Sequence, residues 1–176
     1  MRETTQPAPD GGAVEYVVEA QAHGPVVDRL IEQAFGPGRM AKAAERLREG
    51  NQPVAELCYC AVDAGAVAGA VRLWPIRIGD RPALFLGPIV VDPAWQSRGL
   101  GAELVERVCD KAKTLGHELV LLVGDHSFFG PLGFVVTPSG AVAMPGPVNP
   151  QRLLWRELQS GAAEGCRGEA RVQQTR

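Results

Sequence analysis

The stretch Leu86-Gly87-Pro88-Ile89-Val90-Val91-Asp92-Pro93-Ala94-Trp95-Gln96-Ser97-Arg98-Gly99-Leu100-Gly101-Ala102 decides the fold. Its first part closes a run from Ala83 to Val91 that is nearly all apolar, as a central strand covered on both faces requires. Gly87-Pro88 interrupts that run. Proline cannot donate to a ladder, so the pair marks an edge or a bulge. Asp92 to Trp95 reads as a turn, and a helix follows from Arg98 to Leu115. Leu100, Leu104, Val105, Val108, Ala112 and Leu115 form its buried stripe, Glu103, Glu106, Arg107, Asp110, Lys111 and Lys113 its wet face, and Gly116 its stop.

Two glycines therefore stand at a helix start. The first N–H groups of a helix have no partner within it, and the helix dipole adds partial positive charge there. Gly99 and Gly101 leave the backbone bare, while Ser97 and Arg98 can add donors. The combination makes a cradle for a pyrophosphate, although a lone Gly-x-Gly also fits a simple tight turn. A dinucleotide fingerprint needs a third glycine where this chain has Leu104, and the Gly-Lys-Ser/Thr of a P-loop is absent.

Outward from this core, Glu15 to Ala20 reads as a first strand. Gly24-Pro25 opens a helix carrying Val26, Val27, Leu30, Ile31 and Ala34, and Arg39 to Glu49 reads as a second helix with a thin apolar face. Glu56–Val62 and Ala66–Trp74 flank Asp63-Ala64-Gly65 as a hairpin. Ile76 to Pro82 reads as a polar connection, Leu119–Val123 as a buried strand, and 126–132 as a short helical segment. Phe134–Val136 and Leu153–Leu158 read as closing strands, with loop from Pro138 to Pro150. That order predicts an α/β (mixed α+β) domain, with a mixed, mostly antiparallel sheet between helices on both faces. Residues 1–13 are expected to form a flexible tail, 14–159 the domain, and 160–176 a disordered tail poor in large apolar residues.

The 176 residues suit one domain. Lys and Arg total 18 against 20 Asp and Glu, which argues against a broad grip on nucleic acid or anionic lipid. No apolar run approaches a membrane span, and the N-terminus lacks a signal-peptide pattern, so a cytoplasmic location is the expectation. Cys58 and Cys60 share a strand face, but Cys109 and Cys166 do not supply a matching second pair. All four read as small buried side chains, and no metal is expected.

Gln96-x-x-Gly99-x-Gly101-Ala102, preceded by Leu86 to Pro93 and followed by Gly133-Phe134, resembles the acetyl-coenzyme A motif of the GCN5-related N-acetyltransferase (GNAT) superfamily. The order of elements agrees from Tyr16 to Leu158. The resemblance implies a sheet splayed open after the strand that ends at Val91. It implies that backbone groups of Ile89, Val90 and Val91 pair with the pantetheine arm as an added strand. Gln96, Ser97, Arg98, Gly99, Leu100, Gly101 and Ala102 would hold the pyrophosphate, and Ser127 and Phe128 would lie near the arm or the sulfur. The activity implied is direct transfer of an acetyl group from acetyl-coenzyme A to the amine of a small molecule or peptide. Backbone N–H groups near Val90 are the candidate oxyanion donors. A homodimer is implied by the family alone.

One position departs from the family. The tyrosine that commonly protonates the leaving thiolate falls four residues before the Gly-Phe pair, and that position is Phe129. Ser127 or His126, the nearest polar groups, are the candidate catalytic residues. Alternatively the proton comes from water or from the acceptor, or the chain is a non-catalytic acyl-coenzyme A sensor or interaction module. Asp125 reads as a helix cap, Glu19 and Glu56 as remote candidate bases, and Trp74 as a candidate wall of the acceptor cleft. The acceptor pocket is expected between the Val26–Glu49 helices and the loops at 76–82 and 138–150, where no polar constellation stands out.

Overall fold

A computed structural model describes residues 13–174, so the expected tail at 1–13 lies almost wholly outside the described residues. Strands β1 (Glu15–Val18), β2 (Cys58–Asp63), β3 (Ala66–Ile78) and β4 (Arg81–Val91) form an antiparallel meander. β5 (Leu119–Val123) joins β4 in parallel, and β8 (Leu153–Glu157) and β6 (Val135–Val136) continue the sheet beyond it. Helix α1 (Gly24–Phe35) follows β1, α2 (Ala43–Arg46) is a single turn, α3 (Leu100–Thr114) crosses from β4 to β5, and α4 (His126–Phe129) is another single turn. No helix among the described residues is long and apolar enough to cross a membrane.

The helices cover opposite faces of the sheet, as the order of elements predicts. α1 buries Val27, Leu30 and Ile31 against Cys60, Ala70 and Val90. α3 buries Leu104, Val105, Val108 and Ala112 against Ala68, Val71, Leu84 and Leu122. The interruption at Gly87-Pro88 is a bulge: Val71 pairs with Ile89 and Leu73 with Leu86, so β4 carries one more residue than β3 between the same rungs. Because side chains alternate along a strand, one extra residue reverses which face they meet. Leu84 and Leu86 face the α3 core before the bulge, and Ile89 and Val91 after it, while Val90 turns to α1.

Three expectations are corrected. Ile76 to Pro82 is not a polar connection: β3 runs through Ile78, β4 starts at Arg81, and Ile76 and Ile78 are fully buried. The second helix is broken into a 3-10 turn, Pro37–Ala41, and α2; Lys42 between them is extended. The C-terminal segment 160–176, as far as it is described, is ordered. β9 (Gly168–Val172) lies antiparallel to Ile76–Ile78 and parallel to β7 (Val142–Ala143), itself inside the expected 138–150 loop. Small apolar residues suffice there, with Ala162, Cys166 and Ala170 buried against Phe85, Leu121 and Trp155. The edge of β3 left open past the end of β2 supplies the ladder partners.

All four cysteines are buried free thiols, and no metal-binding group of His, Cys, Asp and Glu exists among the described residues. Burial raises each thiol, Cys58 to about 11 and Cys60 and Cys109 to about 12. The thiolate is the reactive form. Native protein at pH 8 is therefore expected to react with less than about one equivalent of Ellman's reagent per chain, and with all four thiols in guanidinium. Fast labelling of the native chain would contradict that burial.

Candidate active site

The turn before α3 is built to present amides. Ser97 has φ 66° and Gly99 φ 77°, so two left-handed residues flank Arg98. Backbones that alternate in this way curl their N–H groups into an anion-binding concavity. A left-handed conformation is uncommon and costly for serine. Gly99 is the N-cap of α3 and has no side chain to satisfy the first turn, so the amides of Leu100, Gly101 and Ala102 remain without a cap. The turn is anchored from below: Trp95 is 2% exposed and its indole Nε1 donates to Asp63 Oδ2 at 3.0 Å. Asp92 caps the preceding turn by accepting from the Ala94 amide at 2.9 Å.

Next to this concavity the sheet opens. β4 and β5 pair only through Leu84–Val120 and Phe85–Leu121. Beyond Leu86 the edge of β4 that faces β5 has no strand against it. A cavity of about 620 Å³ occupies the gap and runs from Gln96–Ala102 past Ile89, Gly87 and Phe85 to α1 and α2.

The cavity wall includes Ile89, Val91, Gln96, Ser97, Gly99, Leu100, Gly101, Ala102 and Phe128. It does not include Val90, whose side chain the bulge has turned into the α1 cluster. Arg98 is exposed and off the wall. His126 and Ser127 are also exposed and off it; the imidazole lies over Gly130. Phe129, at the family's tyrosine position, is on the wall and buried, stacked edge-on with Phe128 and Phe134. The two tyrosines are elsewhere: Tyr16 packs under Arg107 of α3 and Tyr59 against the α3 core.

Glu19 and Glu56, the two remote candidate bases, are not on the wall. Glu19 accepts from both Nε (3.0 Å) and Nη2 (2.6 Å) of Arg72, a bidentate pair, and Glu56 is exposed. Asp125 is on the wall at the mouth of α4, where it pairs with Arg152 at 3.4 Å. Trp74 is not on the wall but pins the bulge, its Nε1 donating to the Gly87 carbonyl at 2.5 Å.

Sequence reasoning missed the polar end of the cavity. Arg39, Lys42, Glu45 and Arg48 all line it, from the broken second helix. Arg48 Nη1 donates to Glu45 at 3.0 Å and the guanidinium lies over the Phe85 ring, 5.5 Å from its centroid. Burial lowers the Arg48 pKa and the nearby charge of Arg39 adds to that, with Glu45 opposing. A thin apolar face was the one available signal. A helix that cannot bury itself is free to turn charged residues toward a cleft.

The acetyltransferase (GNAT) family model matches residues 26–134, more than half of the chain. No curated protein matches the sequence. The fold is similar to that of the GNAT-family N-acetyltransferase YhbS from Escherichia coli in complex with CoA, at TM-score 0.79 and 22% identity over 94% of this chain and 92% of that one. It is also similar to a GNAT-family acetyltransferase from Brucella melitensis in complex with acetyl-CoA, at TM-score 0.59 and 21% identity over 82% of this chain and 96% of that one. A third similarity is to a chain of the NatC complex bound to Gag peptide and CoA, at TM-score 0.62 and 16% identity over 83% and 99% of the two chains.

Proposed function

This chain belongs to the GNAT acetyltransferase family, and from that premise we propose that it transfers an acetyl group from acetyl-CoA to the amine of a small molecule or peptide. The observation that carries the reading is the single cavity joining the amide concavity at Ser97–Ala102 to the unpaired edge of β4 and on to the charged wall at α2. The concavity suits a pyrophosphate. The open β4 edge suits the amides of a pantetheine arm, which would pair with backbone of Ile89, Val90 and Val91 as a short added strand. Neither role needs the Val90 side chain to face the cavity, because both use main chain.

The sulfur would then lie beside the bulge. A neutral amine attacks the thioester carbonyl, its oxygen takes the negative charge, and backbone N–H groups near Val90 would receive that charge. The attack needs a neutral amine, and an amine with a pKa of about 10 must first lose a proton. Glu45 and Asp125 are the wall carboxylates able to relay it to solvent. Collapse expels a thiolate, a far weaker base than an alkoxide and a tolerable leaving group without a dedicated acid. The attacking nitrogen becomes positive and strongly acidic in the intermediate, and its proton balances the thiolate. Phe129 is thus compatible with transfer. His126 and Ser127, exposed and off the wall, are expected to tolerate alanine with kcat/KM within about threefold of the parent.

Release of free coenzyme A thiol from acetyl-CoA, dependent on an added amine, tests the proposal. A second reading, a non-catalytic acyl-CoA sensor, is favoured by Phe129 alone. Saturable acetyl-CoA binding without turnover across a broad amine panel would establish it in place of the first.

A further inference from the structure

The charged end of the cavity has an arrangement that the donor does not need. Around the whole cavity four cationic side chains, Arg39, Lys42, Arg48 and Arg152, stand against two carboxylates, Glu45 and Asp125. Both carboxylates are already paired, with Arg48 and Arg152. No ion pair is found for Arg39 or Lys42 among the described residues. The surplus is positive and sits on the α2 side, across the Gly87 bulge from the pyrophosphate concavity.

Arg48 is the centre of this group. Its side chain is 16% exposed, a costly place for a charge unless its donors are used. Nη1 serves Glu45, and Nε is buried with no partner among the described residues. Nη2 rests on the bulge itself: a Cβ added at Gly87 would lie 2.7 Å from it. The bare glycine therefore admits a guanidinium beside the backbone where an acetyl thioester would be attacked. Phe85 beneath and Trp74, bonded to the Gly87 carbonyl, hold that geometry from the other sides. Arg39 stands close enough for its charge to oppose that of Arg48. Two like charges kept together on a cavity wall are relieved by an anion between them.

We propose that the acceptor is an amine that carries its own carboxylate, received by Arg48 beside the Gly87 bulge with Arg39 and Lys42 completing the anion site. This rests on the acetyl-transfer reading and narrows it from amines in general to amino-acid-like amines. A planar guanidinium matches a carboxylate in shape as well as charge, which a lysine does not. A site built around a charged hydrogen bond discriminates strongly against the analogue that lacks it, because its own buried donors are then left unpaired.

The test uses the full chain and a panel of free L-amino acids, each matched with its carboxamide, plus aminomethylphosphonate as a non-carboxylate oxyanion. Acetyl-CoA binding is measured first by calorimetry. Failure to bind acetyl-CoA overturns the donor reading, and this proposal with it. With binding in hand, at least one amino acid is expected to exceed its carboxamide by about tenfold or more in kcat/KM. Arg48→Met is expected to bring that ratio close to one by raising KM for the acid alone, and Arg48→Lys to fall between. Arg39→Gln provides a second variant that leaves the Phe85 stack in place and should lower the ratio in the same direction. Carboxamides used as well as acids, aminomethylphosphonate preferred over every carboxylate, no turnover of the panel at all, or an equal fall in kcat for both members of a pair in Arg48→Met would each overturn it.

Discussion

Gly101→Val is expected to weaken acetyl-CoA binding by at least about 100-fold while leaving the fold intact. A Cβ at position 101 would already touch Phe128 Cζ at 3.4 Å, Val91 Cγ2 at 3.6 Å and Ile89 Cδ1 at 3.9 Å. These three side chains form the cavity wall between the amide concavity and the edge of β4. Two further methyls would fill the space that the proposed reading gives to the join between the pyrophosphate and its pantetheine arm. The backbone cost is small: Gly101 lies in the first turn of α3 without a positive φ, and valine is no worse than glycine in a helix. Calorimetry with acetyl-CoA and a thermal melt separate the two effects. Gly101→Ala, in ordinary contact with its neighbours, should fall between. Unchanged affinity in the valine variant would place the donor elsewhere.

Glu19→Ala is expected to lower unfolding free energy by about 3 kcal/mol and to leave kcat near that of the parent. Glu19 and Arg72 are each largely buried, with side-chain exposures of 11% and 17%. Their bidentate pair ties the end of β1 to β3 at the rung where β3 pairs Cys58 of β2. Asp28, 3.3 Å from the same Arg72 and 71% exposed, offers little replacement. Removing the glutamate leaves a guanidinium mostly out of water without its principal partner. Urea denaturation gives the stability and an amine-dependent thiol-release assay the rate. A large fall in kcat at unchanged stability would make Glu19 a base after all.

The donor half of the cavity was legible because its chemistry is local. A glycine pair at a helix start, Asp92 before the turn and a broken apolar strand are neighbours in sequence, and in the proposed reading main-chain amides would do the binding. The acceptor half was not. Arg48 owes its position to Gly87 and Phe85, nearly forty residues away, and nothing in Arg39–Glu49 announces that its helix is broken. Val90 shows a subtler limit. Gly87-Pro88 signals a bulge, but only the register of β3 against β4 reveals that the bulge turns Val90 away from the cavity and leaves Ile89 and Val91 on it. At the C-terminus a scarcity of large apolar residues predicts disorder, yet Ala162, Cys166 and Ala170 are buried and β9 forms. An open strand edge needs backbone more than bulk, and β9 supplies it.

A crystal structure of the chain grown with coenzyme A is the decisive measurement. Pyrophosphate oxygens are expected within hydrogen-bond distance of the amides between Arg98 and Ala102, at about 2.7–3.2 Å. The pantetheine arm is expected along the β4 edge from Ile89 to Val91, with the sulfur beside Gly87. Coenzyme A bound with its pyrophosphate away from α3, or its arm outside the gap between β4 and β5, would contradict that placement.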